Sequence, residues 1–420
     1  MRRRLMILAL ALMPLSSTLG GLLYLFWWLS LLGKPPSRLL PPDAAASNQA
    51  GPFAQSPQKR PYFALALLLF CLLGLLTVWV CAQPSWHLAG WLSRHLLPGL
   101  LIWGCYWALR TGRLGSAELL TGMLCGSLLL AGVGLVNYVF DWAPRIQALC
   151  FTPYGGFCLI DFHALAEDRA RGFSMHPNVL GSLMAMALPL WIYRLGSARG
   201  LGKLPALAGL LTISIALLLS FSRAAWLAGA LSGLIGCFWL LNASWRQGIF
   251  LATALSLPAL LLGPLASVSL RLAELLSSAG SHASRILLWQ GGLAMLAAHP
   301  WLGTGLLQVE PLLPLYAPPI PGGAGHLHNW YLQIAVESGL PAALLYFALL
   351  AALLGTPRDL TPLGKACWLA WSGFLVSACF DITLLDLRVA FGLCLLLALL
   401  LQQRNLMRQL TGINKYQTAS

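Results

Sequence analysis

The chain has 420 residues, of which 58% are hydrophobic and only 9% charged, with a formal net charge of +14 and a mean hydropathy of +0.76. No soluble core takes up that much apolar surface, so composition excludes the soluble classes and indicates a polytopic membrane protein. The basic residues are scattered through short connections and form no stripe with interleaved aromatics, which excludes nucleic acid as a partner.

In chain order, Met1-Arg2-Arg3-Arg4 is followed by an apolar run from Leu5 to Gly33. Read as one helix, this run leaves the arginines outside, against the positive-inside rule; broken at Pro14–Gly21, it makes a membrane hairpin over 1–33 with the basic start inside. Two helices of about 14 residues each span only about 21 Å, so the pair is thinned or partly re-entrant. A signal peptide is the other reading of such a start, but the run is long for one and no small-residue cleavage site follows. Residues 34–61, rich in Pro, Ala, Ser and Gln, read as a flexible cytoplasmic linker.

Apolar runs of membrane length, about 17–25 residues, follow. They are predicted near 62–82, 96–110, 117–139, 176–194, 205–221, 223–241, 249–267, 330–355, 365–384 and 389–402. The expectation is an all-α bundle of about twelve membrane helices, with a transmembrane catalytic domain over 62–402 and a cytoplasmic tail over 403–420. If the connections carrying Arg199, Lys203, Arg246 and Arg358 are cytoplasmic, most Lys and Arg fall inside and both termini are cytoplasmic. Two long polar segments, 140–175 and 268–329, are then external, the second containing short helices.

Most cysteines lie within predicted spans, where a thiol behaves as a small hydrophobe. Cys150 and Cys158 share an external loop that an oxidising compartment would allow to bridge, although spacing alone does not establish the geometry.

Four constellations stand at the external mouths. They are Arg171-Gly172-Phe173-Ser174-Met175-His176-Pro177-Asn178; Phe221-Ser222-Arg223-Ala224-Ala225-Trp226; Ser284-Arg285 with Trp289 and His299-Pro300-Trp301-Leu302-Gly303-Thr304-Gly305; and His326-Leu327-His328-Asn329 with Glu337-Ser338-Gly339. Each has a structural reading when taken singly. Arg223 snorkels to the interface beside Trp226. His176-Pro177-Asn178 and His299-Pro300 are turns at helix starts. Asp381 and Asp386 with Arg388 make a solvated turn or ion pair. The His326-x-His328 pair has no carboxylate at helical spacing, so no metal site is expected.

Taken together they suit one chemistry. Arginines without a companion carboxylate cluster are fitted to bind a diphosphate, because guanidinium presents a planar fork of permanently charged donors. A neutral His removes a proton from an acceptor hydroxyl as that hydroxyl attacks. If the diphosphate leaves, the arginines stabilise charge that grows in the transition state.

The order Arg-Gly…His-Pro-Asn, Ser-Arg-Ala-Ala-Trp, Arg-x-x-x-Trp…His-Pro-x-x-Gly-x-Gly and His-Asn-x-x-Leu…Glu-x-Gly resembles the O-antigen ligase and polymerase superfamily of bacterial surface-polysaccharide enzymes. The likeness runs over roughly residues 60–400 and is strongest over 170–345. It implies a lipid-donor membrane glycosyltransferase of the inner membrane. Such an enzyme moves glycan from undecaprenyl diphosphate to a glycolipid or glycan acceptor on the periplasmic side, with no metal or cofactor. By the same resemblance Arg223 and Arg285 hold the diphosphate and His328 is the base. Arg171, His176, Asn178, Ser222, Trp289 and Asn329 are expected to line the substrate site. Two alternatives stay open: a polysaccharide polymerase, and a transporter, since one branch of the superfamily is labelled as inorganic-carbon transporters. The nearly charge-free span interiors and the absence of internal duplication favour the enzyme over the transporter.

Overall fold

The structure is a computed structural model that describes residues 97–140, 169–171, 176–248, 281–318 and 325–417. The predicted hairpin 1–33, the linker 34–61, the spans 62–82 and 249–267, and Cys150 and Cys158 lie outside the described residues, as does most of 140–175.

Among the described residues every regular element is helical. The helices are α1 (Leu97–Arg110), α2 (Ser116–Phe140), α3 (Pro177–Ser197), α4 (Lys203–Leu219), α5 (Arg223–Leu240), α6 (Ser281–Ala298), α7 (Val309–Leu312), α8 (Trp330–Leu354), α9 (Pro362–Ser377) and α10 (Leu387–Gln417). Six helical segments here are long and apolar enough to cross a bilayer: α2, α3, the segment Gly200–Leu219 that contains α4, α5, α8 and Leu387–Met407 of α10. The shorter α1 and α9 are apolar and pack beside them, both against α10. Past residue 402, where the span was predicted to end, α10 continues to Gln417.

Helix starts follow the local chemistry. Thr361 caps α9 by accepting from the Gly364 N–H, with Pro362 in the first turn where its missing donor costs nothing. Asn329 caps α8 in the same way through the Leu332 N–H. The most enclosed span, α3, packs against α2, α4, α5 and α9. Close approach there depends on small residues, as is common where apolar packing meets no competing hydrophobic drive. At Gly209 of α4 a side chain would collide with the Trp191 ring, 2.1 Å from the position of a Cβ. The outer faces of α4 and α5 present Leu211, Ile215, Leu227, Leu231, Leu234 and Phe238, an apolar surface matched to hydrocarbon.

The bundle has two unlike ends. At one, Arg404 donates to the Leu353 and Thr356 carbonyls, Arg246 to the Leu241 carbonyl, and Lys203 lies over the Trp245 ring. At the other end meet the starts of α3, α5 and α8, the end of α9 and the connection from α9 to α10. Two contacts bring α8 and α9 together there. The Trp330 N–H donates to the Ala378 carbonyl at 2.9 Å, and the Tyr331 hydroxyl donates to the Leu375 carbonyl at 2.8 Å.

The segment 268–329 contains more than short helices, since α6 runs for 18 residues. Leu288 and Met295 of α6, Val309, Leu313, Leu327 and Val336 of α8 form a second small core. This core seats the segment on α8 instead of leaving it as a free loop.

A break in α8 completes that seat. Gly339 adopts φ +79°, and Pro341 has no N–H to give the Glu337 carbonyl. The released groups all find partners across the 299–305 turn. Gly305 N–H donates to the Glu337 carbonyl (3.1 Å), Thr304 N–H to the Val336 carbonyl (2.8 Å), and Leu340 N–H to the Pro300 carbonyl (2.8 Å). Gly303, at φ +70°, lies so close that a Cβ would stand 2.5 Å from the Val336 carbonyl oxygen. The His-Pro-x-x-Gly-x-Gly and Glu-x-Gly motifs are therefore two halves of one interlock.

Candidate active site

The turn before α8 is strained where it carries its histidine: His328 has φ +48°, a left-handed conformation costly for a residue with a Cβ. Several bonds hold it. The Trp289 indole N–H donates to the Leu327 carbonyl at 3.0 Å, and the Leu327 N–H donates to Gln333 Oε1 at 3.0 Å. Gln333 Nε2 donates to Glu337 Oε1 at 2.8 Å, and both side chains are buried. Trp289 and Asn329, both expected in the substrate site, thus anchor the backbone on either side of His328.

The strained turn aims His328 at Asp381. His328 Nδ1 stands 3.2 Å from Asp381 Oδ1, and Asp381 is 8% exposed. The sequence reading set Asp381 inside a span over 365–384 and grouped it with Asp386 and Arg388 in a solvated turn or ion pair. In the structure α9 ends at Ser377, and the two aspartates part company. Asp386 pairs with Arg388 through Nε (2.9 Å) and Nη2 (2.7 Å), whereas Asp381 turns inward under His328.

Asp381 is fully engaged as a carboxylate. Oδ1 accepts from His328 Nδ1 and from the Ile382 N–H at 2.8 Å, and Oδ2 accepts a short bond from Asn178 Nδ2. Burial pushes its pKa up, but the His328 hydrogen bond and charge, the Ile382 N–H and the charge of Arg285 outweigh it, leaving the group at about 2. In a neutral imidazole, an ionised Asp381 favours the tautomer with its proton on Nδ1, which makes Nε2 the acceptor. The side chain of His328 is 29% exposed.

Around this pair the structure assembles most of the residues expected from sequence. The His326 ring lies 4.3 Å from that of His328. Its pKa falls to about 4, through burial first and the charges of His328 and His176 next, against the opposing pull of Asp381. His176 caps α3 by accepting from the Asn178 N–H at 3.1 Å, so the helix-start reading holds while the next polar residue, Asn178, reaches Asp381. Arg285 of α6 is half-buried and close enough for its charge to act on Asp381.

Arg223 stands at the first position of α5, after a turn tight enough to force Phe221 to φ +50°. Ser222 occupies the N-cap position and is buried, but its side chain makes no cap bond. The Trp226 indole folds back to donate to the Leu217 carbonyl at 3.0 Å. The segment 169–171 crosses this turn: Ala170 N–H donates to the Leu219 carbonyl, and Arg169 Nε to the Ser220 carbonyl at 2.9 Å. Arg169 Nη2 also donates to Asn178 Oδ1 at 2.8 Å. Arg169 is a linking residue that sequence reasoning passed over in favour of the neighbouring Arg171, which is buried.

His326, His328 and Asp381 offer three donor atoms within 4.8 Å of one another, a spacing able to hold a metal ion. The carboxylate missing from the helical spacing arrives from another element. Its two oxygens, however, already accept three hydrogen bonds, an arrangement suited to holding an imidazole.

Residues 208–347 match a family model described as O-Antigen ligase. The matched stretch contains Arg223, Arg285, His326 and His328, and both halves of the Gly303–Gly339 interlock. No curated protein matches the chain.

Proposed function

We propose that this chain, a member of the O-antigen ligase superfamily and a ligase- or polymerase-type membrane enzyme, transfers glycan from undecaprenyl diphosphate to a hydroxyl of a glycolipid or glycan acceptor. The single observation that carries this reading is the His328–Asp381 pair, half-open at one end of the bundle and within reach of the charge of Arg285.

In the proposed reaction His328 Nε2 takes the proton of the acceptor hydroxyl. The hydroxyl oxygen attacks the anomeric carbon, the bond from that carbon to the diphosphate oxygen breaks, and the lipid diphosphate leaves. Asp381 keeps the imidazole in its tautomer and stabilises the imidazolium that forms. Arg223 and Arg285 take up the charge that accumulates on the departing diphosphate.

The reading sets this site on the periplasmic side of the inner membrane. In support, Arg199, Lys203, Arg246, Arg358 and Arg404 gather at the opposite end of the bundle, the end that the positive-inside rule assigns to the cytoplasm.

The test is complementation of a strain deleted for the gene. Chains carrying H328A or D381N are expected to leave surface polysaccharide absent from gels and to accumulate the lipid-linked precursor. Intact polysaccharide without accumulation overturns the reading.

A further inference from the structure

Two residues join the halves of the site. Arg169 Nε donates to the Ser220 carbonyl at 2.9 Å and Nη2 to Asn178 Oδ1 at 2.8 Å, while Asn178 Nδ2 donates to Asp381 Oδ2. One end of this chain of bonds is the turn that carries Ser222 and Arg223; the other is the carboxylate that holds His328. Asn178 is 9% exposed, and both its carbonyl and its amino group are engaged within the protein. That is the position of a spacer, not of a sugar ligand.

We propose that Arg169 and Asn178 are positioning residues. They fix Asp381, and through it His328, at a set place relative to the turn that carries Arg223, so that base and leaving-group ligand keep the separation that in-line transfer requires. The proposal rests on the reading of His328 as base and Arg223 as diphosphate ligand. Both residue types are needed. Arginine bonds two partners at once from different nitrogens of one rigid plane, which the single ammonium of a lysine does not. Asparagine offers an acceptor to Arg169 and a donor to Asp381, so it turns a cationic anchor into a neutral donor for a buried carboxylate. A shift of about 1 Å at such a base lowers the rate about a hundredfold.

The experiment uses N178A, N178D and R169K in the full chain, purified in detergent and checked by thermal unfolding and monodispersity. N178D keeps the shape and the Arg169 bond but sets carboxylate against carboxylate, and it serves where N178A does not fold. Each variant is assayed with the host's lipid-linked glycan and titrated with farnesyl diphosphate as a diphosphate probe. The expected result is a kcat lowered about tenfold or more, with the donor KM and the farnesyl diphosphate Kd within about twofold of the parent. The double variant N178A/D381N is expected to be no slower than D381N alone, because both act through one imidazole.

A raised KM or Kd at unchanged kcat overturns the proposal and makes these residues substrate ligands. Unchanged kinetics, or losses that multiply in the double variant, overturn it too. H328A and R223A are run in parallel. H328A at the parental rate overturns the base reading and the proposal with it. H328A inactive beside N178A at full rate overturns the positioning role alone.

Discussion

His328 and Asp381 lie 53 residues apart in sequence, yet Nδ1 of one and Oδ1 of the other are 3.2 Å apart, joined where α8 begins and α9 has just ended. Replacing Asp381 with Asn keeps the shape but removes the charge that fixes the imidazole tautomer. D381N is expected to lower kcat at least about a hundredfold while binding of farnesyl diphosphate stays within about twofold. Steady-state kinetics and a titration on the same preparation check both halves.

Arg223 and Arg285 are expected to separate by their second effect. If the proposed function holds, each Ala variant loses a charge-assisted partner for the diphosphate, and farnesyl diphosphate binding is expected to weaken by about tenfold to a hundredfold. R285A alone also removes a charge that holds Asp381 low, so the carboxyl of Asp381 titrates upward in that variant. Titrating the parent and R285A between pH 2 and 5, with an infrared readout of the carboxylate stretch, measures the shift.

Acid sensitivity follows from His326. Its folded pKa of about 4 lies below the ordinary value of 6.5, so the unfolded chain binds a proton there that the folded chain refuses. Stability from this group is complete above pH 6.5 and is lost progressively as pH falls towards 4. Asp381, depressed to about 2, adds a loss in the same direction only below its ordinary 3.8. The apparent melting temperature is expected to fall from pH 7 to pH 4.5, and H326Q to flatten that fall. A slope unchanged in H326Q would assign the acid sensitivity elsewhere.

The interlock of α8 with the 299–305 turn tolerates no side chain. A Cβ on Gly339 would stand 2.3 Å from the Trp301 carbonyl oxygen, at a φ of +79° that itself disfavours any residue but glycine. G339A is expected to cost about 3 kcal/mol or more, or to prevent accumulation of folded protein. Fluorescence-detected size exclusion on detergent extracts reads the outcome, with S338A beside it as a neighbour substitution expected to pass.

Much of the fold was legible because bilayer thickness fixes helix length. The spans predicted at 117–139, 176–194 and 223–241 begin and end within a few residues of α2, α3 and α5. The span predicted over 365–384 ran past the real end of α9, because Cys379, Phe380 and Ile382 are as apolar as the helix before them. Periodicity has no symbol for a helix that stops in order to turn one carboxylate inward. For the same reason Asp381 was grouped with Asp386, its neighbour in sequence, and not with Asn178, its partner in space. His328 was legible as a polar residue at the mouth of a span. Arg169 was not, because its importance lies in two bonds to elements that begin after it.

The break at Gly339 divides α8 into two bodies with different allegiances. Its first turns, from Trp330 to Val336, are fastened to α6 and to the 299–307 turn, while its far end is fastened to α10 by Arg404. His328 is therefore held from two sides, by the segment that carries Trp289 and by the end of α9 with Asp381. A change of angle between those two bodies would move the imidazole against its carboxylate.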